Sequence, residues 1–145
     1  MSTIHFENFT EKFMVNELLI AETVHWNWSV RPLHCTLGSG VISLKRPAQA
    51  MSELTTEEGA DYINLIKIIE YTLKTAFCAE KMNYIMLMMV DLQVHCHAIP
   101  RYSGDVEFQG QTYKDQWWLK PPALDVPKLE NGNLMKIKNH LKSYL

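Results

Sequence analysis

The chain is 145 residues long, with 47% hydrophobic residues, 21% charged residues and a formal net charge of −2. This composition is that of a globular protein large enough to bury a core, so we expect a single domain over 1–145. The lack of a basic surplus argues against nucleic acid or a membrane surface as a partner. No CxxC pair and no signal-peptide pattern occur, which together indicate a reducing, cytoplasmic setting.

Three strands are predicted in the first third of the chain. The first covers 18–21 and the second 24–30, where apolar and polar side chains alternate as in a strand buried on one face. The alternating apolar residues are Val24, Trp26, Trp28 and Val30. The third covers 37–44, where Gly38 and Gly40 indicate a close approach of a ligand or another backbone.

A long amphipathic helix follows. Thr55 and Glu58 form a capping box that predicts where this helix begins. Apolar residues then recur at helical spacing, so the helix should pack on a sheet as scaffold. They are Tyr62, Ile66, Ile69, Leu73 and Ala76 or Phe77.

The rest of the chain predicts two more strands and a second helix. The nearly continuous apolar run 82–90 is typical of a central strand, and 93–101 is the next strand. A loop is predicted over 102–122. Helical spacing near the end indicates a final helix, through Leu134, Ile137, Leu141 and Leu145. This order predicts an α+β domain built on an antiparallel sheet.

The segment 93–101 is the most informative one. In a strand, Gln93, His95 and His97 share one face, while small apolar residues occupy the other and can pack under a helix. A buried amide or imidazole costs about 1–3 kcal/mol when it lacks a hydrogen-bond partner. A row of three such groups therefore points to a functional site.

The same segment resembles the signature of the histidine triad (HIT) superfamily of nucleotide hydrolases and transferases, His-φ-His-φ-His-φ-φ, which often continues into Pro-Arg. Three further segments, 38–47, 51–58 and 81–84, resemble other motifs of that family in the right order. The resemblance covers about 14–120. With glutamine at the first triad position, the segment resembles a branch of bacterial HIT proteins that are similar to diadenosine tetraphosphate hydrolases.

The resemblance implies a fold and an assembly. The HIT-like fold has a five-stranded antiparallel sheet, one long packed helix and a C-terminal helix, so that 123–145 would be an extension of the core. The family also forms homodimers. Its ligands are nucleotides, and the resemblance implies neither a metal nor another cofactor.

The resemblance also implies a reaction at the α-phosphate of a nucleoside, which we take to be adenosine. His95 occupies the position of the nucleophile, which forms a covalent nucleotidyl-histidine intermediate. His97 can donate hydrogen bonds to phosphate oxygens, where negative charge develops. Gln93 can donate to phosphate through its amide but cannot act as a general acid, so catalysis should be slower than with a full triad.

Substrate-binding residues are implied less directly. The ribose-binding position of the family falls on Arg31, or on Asn27 if the alignment shifts. Asn83 matches a family motif, and Arg101 is one of the basic residues near the histidines that could steer a polyphosphate.

Two alternatives stay open. A His-x-His pair on a strand also supplies two ligands to zinc or iron in unrelated folds, and His25 or His34 could join them. The chain could also be a nucleotide-binding protein with little or no turnover.

Overall fold

The computed structural model describes residues 2–145. Its helices are α1 (Ser2–Lys12), α2 (Thr56–Phe77) and α3 (Asn131–Lys142), and a short 3-10 turn, Met51–Glu53, precedes α2. Its strands are β1 (Leu19–Glu22), β2 (Trp26–Val30), β3 (Gly40–Leu44), β4 (Lys81–Ile85), β5 (His95–Arg101), β6 (Val106–Phe108) and β7 (Gln111–Tyr113). None of the helices in this range is long and apolar enough to cross a membrane.

The first five strands form one antiparallel sheet in the order β1-β2-β3-β5-β4, and β6 and β7 form a separate hairpin. This confirms the predicted α+β class with a five-stranded antiparallel sheet. β3 and β5 are central, so β5 is held by hydrogen bonds along both edges. The histidine-bearing strand is therefore a rigid platform.

The main core lies between one face of this sheet and α2 and α3. The small residues Val94, Cys96 and Ala98 are buried there beside apolar residues of α2, as predicted. The indole rings of Trp26 and Trp28 are fully buried in the same core. Burial of this face leaves the opposite face of β5, with its histidines, for another use.

The start of α2 follows the capping-box prediction. The Glu58 backbone N–H donates to the Thr55 hydroxyl at 3.1 Å, and the Thr55 N–H donates to the Glu58 carboxylate at 2.9 Å. The carboxylate also accepts from Arg46, whose hydrogen bond lowers the pKa of Glu58 to about 2. The cap thus also anchors the segment that follows β3.

The glycine prediction is confirmed at Gly40, where another backbone and side chain come close. A Cβ at this position would lie 2.6 Å from the Trp28 indole nitrogen and 3.0 Å from the Ser29 carbonyl oxygen. Only glycine lets β3 pair with β2 at this point. Gly38 lies in the preceding turn, with a φ of +88°.

The predicted central strand over 82–90 is wrong in position and in length. β4 ends at Ile85 and lies at the edge of the sheet. The chain then leaves the sheet, with Met88 at a φ of +52°, and the loop exposes Leu87, Met89 and Val90 at 58%, 79% and 85%. An apolar run has the same appearance in a buried strand and in an apolar loop, so composition alone could not separate them.

Three further differences are smaller. The predicted loop 102–122 contains the β6–β7 hairpin, and β2 begins at Trp26, so that Val24 is exposed in the turn before it. Leu145 lies beyond the end of α3 and is exposed.

A fourth difference bears on function. Helix α1, which the sequence patterns did not predict, lies against the histidines.

Candidate active site

The strand register places the polar residues of three strands in rows on the face opposite α2. His95 pairs with Ser43, which pairs with Asn27, and His97 pairs with Val41. Paired residues in an antiparallel sheet point to the same face. The site therefore rests on β2, β3 and β5 together.

His95 is held by a hydrogen bond to the backbone. Its Nδ1 lies 2.5 Å from the Gln93 carbonyl oxygen, which can only accept, so Nδ1 carries the proton. The lone pair is then on Nε2. Burial lowers the pKa of His95 more than the Gln93 carbonyl and Asp91 raise it. At neutral pH this side chain is an uncharged imidazole with a nucleophilic Nε2.

His97 is held in the opposite way. Its Nδ1 lies 3.1 Å from the Nε of Arg31, and a guanidinium can only donate, so Nδ1 accepts and the proton is on Nε2. Burial, with the positive charge of Arg31, lowers the pKa of His97 to about 3. The two rings, 5.0 Å apart between centroids, thus offer opposite groups at Nε2. His95 offers a lone pair and His97 an N–H.

Arg31 is fixed from a second side. Its Nη1 donates to the carbonyl oxygens of Leu33, at 2.5 Å, and Leu124, at 2.9 Å. Its Nη2 makes no hydrogen bond within residues 2–145, and the residue lines the cavity beside the histidines. One pair of guanidinium N–H groups therefore remains for a ligand.

That cavity has a volume of about 250 Å³ and brings together both histidines and four charged side chains, Lys12, Arg31, Asp91 and Asp125. Its wall is completed by the apolar loop after β4. Pockets for whole drug-sized ligands are usually larger, about 300–1,000 Å³. The cavity therefore suits a small group of the size of a phosphate better than a whole drug-sized ligand.

Helix α1 covers the histidines from outside the sheet. The Phe9 ring lies 4.8 Å from that of His95, and the Phe13 ring lies 5.8 Å from His95 and 6.1 Å from His97. As a result His95 is only 2% exposed. The sequence signal for α1 is the spacing of Phe6 and Phe9, which places both on one helical face, with Phe13 directly after the helix in line with them.

Gln93 does not point its amide at the cavity. Its Nε2 donates to the carbonyl oxygens of Leu44, at 3.2 Å, and Arg46, at 2.8 Å, and its Oε1 accepts from the Ala48 N–H at 3.2 Å. Both donors and the acceptor are engaged. The amide is not placed as the expected phosphate donor, because it ties the residues just before β5 to the end of β3 and to the segment after it.

Arg101 and Asn83 lie at a different cavity, which neither His95 nor His97 lines. All five guanidinium N–H groups of Arg101 are donated within the protein, two of them to Asp115 at 2.7 and 3.1 Å. The remaining acceptors are the Asn83 side chain and the carbonyl oxygens of Trp117 and Lys120. No donor of Arg101 is left for a ligand, whereas Asn83 accepts from Arg101 through its Oδ1 and keeps its amide N–H groups, so that contact with substrate stays a prediction for Asn83.

Asn27 is half-buried at the edge of a further cavity of about 350 Å³. Phe6, Thr10 and Val15, from α1 and the residues that follow it, line the same cavity. Asn27 shares a row with His95, two strands away, which corresponds to about 10 Å from the usual strand spacing. A ligand that touches both must pass beneath α1.

The metal alternative gains no ligand from His34. Its Nε2 accepts from the Gly38 N–H at 3.0 Å, and its Nδ1 bonds the Arg31 carbonyl oxygen at 2.9 Å. Burial lowers the pKa of His34 to about 4. Within residues 2–145, no group of three or more His, Cys, Asp or Glu side chains is placed to hold a metal ion.

No family model and no curated protein matches this sequence. Solved structures do match the fold. A hypothetical histidine triad nucleotide-binding protein from Sulfolobus tokodaii superposes with a TM-score of 0.68 at 16% identity, over 88% of this chain and 82% of the other. A HIT-like protein from Bartonella henselae has the same TM-score and identity over 95% of both chains.

The diadenosine triphosphate hydrolase of Plasmodium falciparum has a TM-score of 0.62 at 16% identity, over 97% of this chain and 95% of the other. Each of these similarities covers 88% or more of this chain. This protein therefore has the histidine triad fold, as the motifs in its sequence predict.

Proposed function

We propose that this protein is a HIT enzyme that transfers or hydrolyses a nucleoside monophosphate, taken to be adenylate. The substrate bond would be a phosphoanhydride, phosphoester or phosphoramidate. The observation that carries this proposal is the hydrogen bonding of the two imidazoles at Nδ1, to the Gln93 carbonyl oxygen and to the Arg31 guanidinium, which leaves a lone pair on Nε2 of His95 and an N–H on Nε2 of His97. A nucleophile and a hydrogen-bond donor, side by side at a phosphate-sized cavity, are what attack at phosphorus requires.

In the first step, the Nε2 lone pair of His95 attacks the α-phosphorus and the bond from phosphorus to the leaving group breaks. His95 keeps its Nδ1 proton on the Gln93 carbonyl oxygen, which stabilises the positive charge that the ring acquires. The Nε2–H of His97 donates to a non-bridging oxygen. The product of this step is a nucleotidyl-His95 intermediate.

In the second step, water attacks the same phosphorus and the bond from phosphorus to Nε2 breaks. The free mononucleotide leaves, one proton passes to solvent, and His95 regains its lone pair. Another acceptor in place of water would make the same step a transfer. The Nη2 of Arg31 and the ammonium of Lys12 flank the cavity and can neutralise phosphate charge.

The leaving group must depart with little help from a proton. Gln93 is engaged with backbone groups and His97 is neutral, so neither supplies one. A general acid typically contributes 10²–10⁴-fold to a rate. We therefore expect phosphoanhydrides, whose leaving groups are stable anions, to react faster than phosphoramidates or simple esters.

The test is release of AMP from dinucleoside polyphosphates and adenosine phosphoramidates, compared between the wild type and His95→Ala. His5→Ala, which changes an exposed histidine of α1, is the matched control. We expect release by the wild type and the control and none by His95→Ala. Equal release by the wild type and His95→Ala would contradict the proposal.

A second candidate function is nucleotide binding without turnover. It is favoured by one observation, the cover of Phe9 and Phe13 over His95. Calorimetric titration with AMP beside the turnover assay distinguishes the two. Binding with no release from any substrate would support the second candidate.

A homodimer also belongs to this proposal. Within residues 2–145, β4 pairs only with β5, so its other edge presents free backbone N–H and C=O groups. An open edge of this kind is suited to pairing with a second strand. Light scattering coupled to size-exclusion chromatography should give twice the mass of the chain, and a monomer mass would contradict this assembly.

A further inference from the structure

Arg31 contacts His97 as a fixed internal group. The residue is only 4% exposed, and its Nη1 is held by the carbonyl oxygens of Leu33 and Leu124. These two contacts fix the plane of the guanidinium, so that its Nε–H meets the Nδ1 of His97 at 3.1 Å. A cation that served only to attract phosphate would not need three anchors on its own protein.

The contact decides which nitrogen of His97 carries the proton. A neutral imidazole has two tautomers, and a donor at Nδ1 excludes the one with a proton there. The tautomer that remains has its N–H at Nε2, the nitrogen that makes no hydrogen bond within residues 2–145. Arg31 thereby turns His97 into a donor with one defined direction.

We propose that Arg31 is a positioning residue that holds His97 in the neutral Nε2–H form, so that His97 donates to a substrate oxygen and does not store a proton. This inference rests on the proposed function for its substrate, a nucleotide phosphate. Its structural part, the tautomer of His97, is independent of turnover. A neutral His97 has no proton to give to a leaving group, which explains why poor leaving groups should depart slowly.

The charged groups around His97 are consistent with this role. They are Arg31 after β2, His95 on β5, Lys12 on α1, Asp91 in the loop after β4 and Asp125 in the segment before α3. Asp91 is engaged by Lys12 at 2.8 Å. The shift of His97 has three causes, burial first, then the charge of Arg31 and that of His95, and neither aspartate is among them; together they lower the pKa of His97 to about 3.

The first test reads the tautomer directly by long-range ¹H–¹⁵N NMR of histidine rings, with His97 assigned from the signals lost in His97→Gln. At pH 7 we expect His97 protonated on Nε2 and His95 protonated on Nδ1. In Arg31→Met, His97 should acquire a second tautomer and should titrate at higher pH. Lys67→Met, which removes one charge from the exposed face of α2, should leave His97 as in the wild type.

The second test separates positioning from simple attraction of phosphate. Arg31→Lys keeps a positive charge but lacks the Nε–H fork. We expect it to keep KM within about three-fold while kcat falls by about 10²–10³, the usual loss for one oriented donor. Arg31→Met should have both a higher KM and a lower kcat than the wild type.

The outcomes distinguish failure of the positioning role of Arg31 from failure of the proposed function. A wild-type His97 protonated on Nδ1, an unchanged His97 in Arg31→Met, or an Arg31→Lys variant with full kcat would each overturn the positioning role. If the wild type releases no AMP, the proposed function fails, and the NMR result alone decides whether Arg31 sets His97. In that case AMP binding that shifts the His97 Nε2–H signal supports the donor role, and AMP binding that leaves it unmoved overturns it.

Discussion

The aromatic ring of Phe9 lies against the imidazole of His95, with 4.8 Å between the ring centroids. Phe9 belongs to α1, whose last residue, Lys12, forms an ion pair with Asp91 at 2.8 Å. The helix thus contacts both His95, the proposed nucleophile, and the loop that borders the cavity beside the histidines. Access to His95 is through that cavity or under a displaced α1.

Replacing Phe9 should uncover His95. We expect Phe9→Ala to destabilise the protein by about 3–5 kcal/mol, as is usual for a buried phenylalanine. It should also increase the rate at which diethyl pyrocarbonate modifies His95, measured by peptide mass mapping under conditions where the variant is folded. Phe108→Ala, a similar truncation in the core on the other face of the sheet, should leave that rate unchanged. Unaltered modification of His95 in folded Phe9→Ala would show that the ring does not control access.

The local elements of this fold could be predicted from the sequence. The capping box at Thr55, the helical stripe of α2 and the alternation in β2 depend on neighbours within a few residues, and short-range physics determines them. The burial of Cys96 under α2 and the placement of His95 on the opposite face of the sheet followed from the two-residue period of a strand. These features place the histidines correctly.

The partners of the site residues could not be predicted, because they come from distant segments. Gln93 bonds one backbone group at the end of β3 and two after it, and Arg101 bonds Asp115 and the loop that follows. A sequence shows that such side chains are polar but does not show which partners satisfy them. Helix α1 lies over the site for the same reason, although the spacing of its phenylalanines could have revealed the helix itself.

The role of Gln93 can be tested through stability. Gln93→Met leaves the Ala48 N–H without its acceptor and removes a donor from the Leu44 and Arg46 carbonyls. An unsatisfied buried group costs about 1–3 kcal/mol, so we expect the free energy of unfolding in urea to fall by at least this amount. Gln111→Met, at an exposed position of β7, should change it little.

Turnover of Gln93→Met provides the second reading. At a temperature where the variant is folded, we expect its kcat to stay within about three-fold of the wild type. A variant of full stability that has lost its activity would return Gln93 to the reacting groups.

The buried ion pair of Arg101 and Asp115 should hold the loop that follows β7 in place and stabilise the fold. Asp115→Ala leaves a buried guanidinium without its carboxylate, which typically costs about 3–5 kcal/mol. Thermal or urea unfolding measures this loss. Glu80→Ala, which removes an exposed carboxylate bound to Ser103, is the control, and an equal effect of both substitutions would contradict the structural role.

Stability should fall as the pH falls from about 6.5 to 5. Burial lowers the pKa of His34 to about 4 and, with Arg31, that of His97 to about 3, whereas an unfolded histidine has a pKa near 6.5. In this window the unfolded chain binds more protons than the folded one, so lower pH favours unfolding. Each histidine contributes a slope of up to about 1.4 kcal/mol per pH unit.

Urea unfolding at a series of pH values measures this slope. His34→Gln should reduce it, whatever its effect on stability at pH 7, and His5→Gln should follow the slope of the wild type. A slope in His34→Gln equal to that of the wild type would mean that the buried imidazole does not resist protonation.

The central claim is that the Nε2 of His95 forms a bond to phosphorus. The most direct measurement is intact-protein mass spectrometry after the enzyme is mixed with a dinucleoside polyphosphate and quenched in base, which preserves a phosphorus–nitrogen bond better than acid. We predict a transient mass increase of one adenylyl group, located on the peptide that contains His95 and missing in His95→Ala. AMP release by the wild type at full rate with no adduct on any histidine, or an adduct that persists in His95→Ala, would contradict this account.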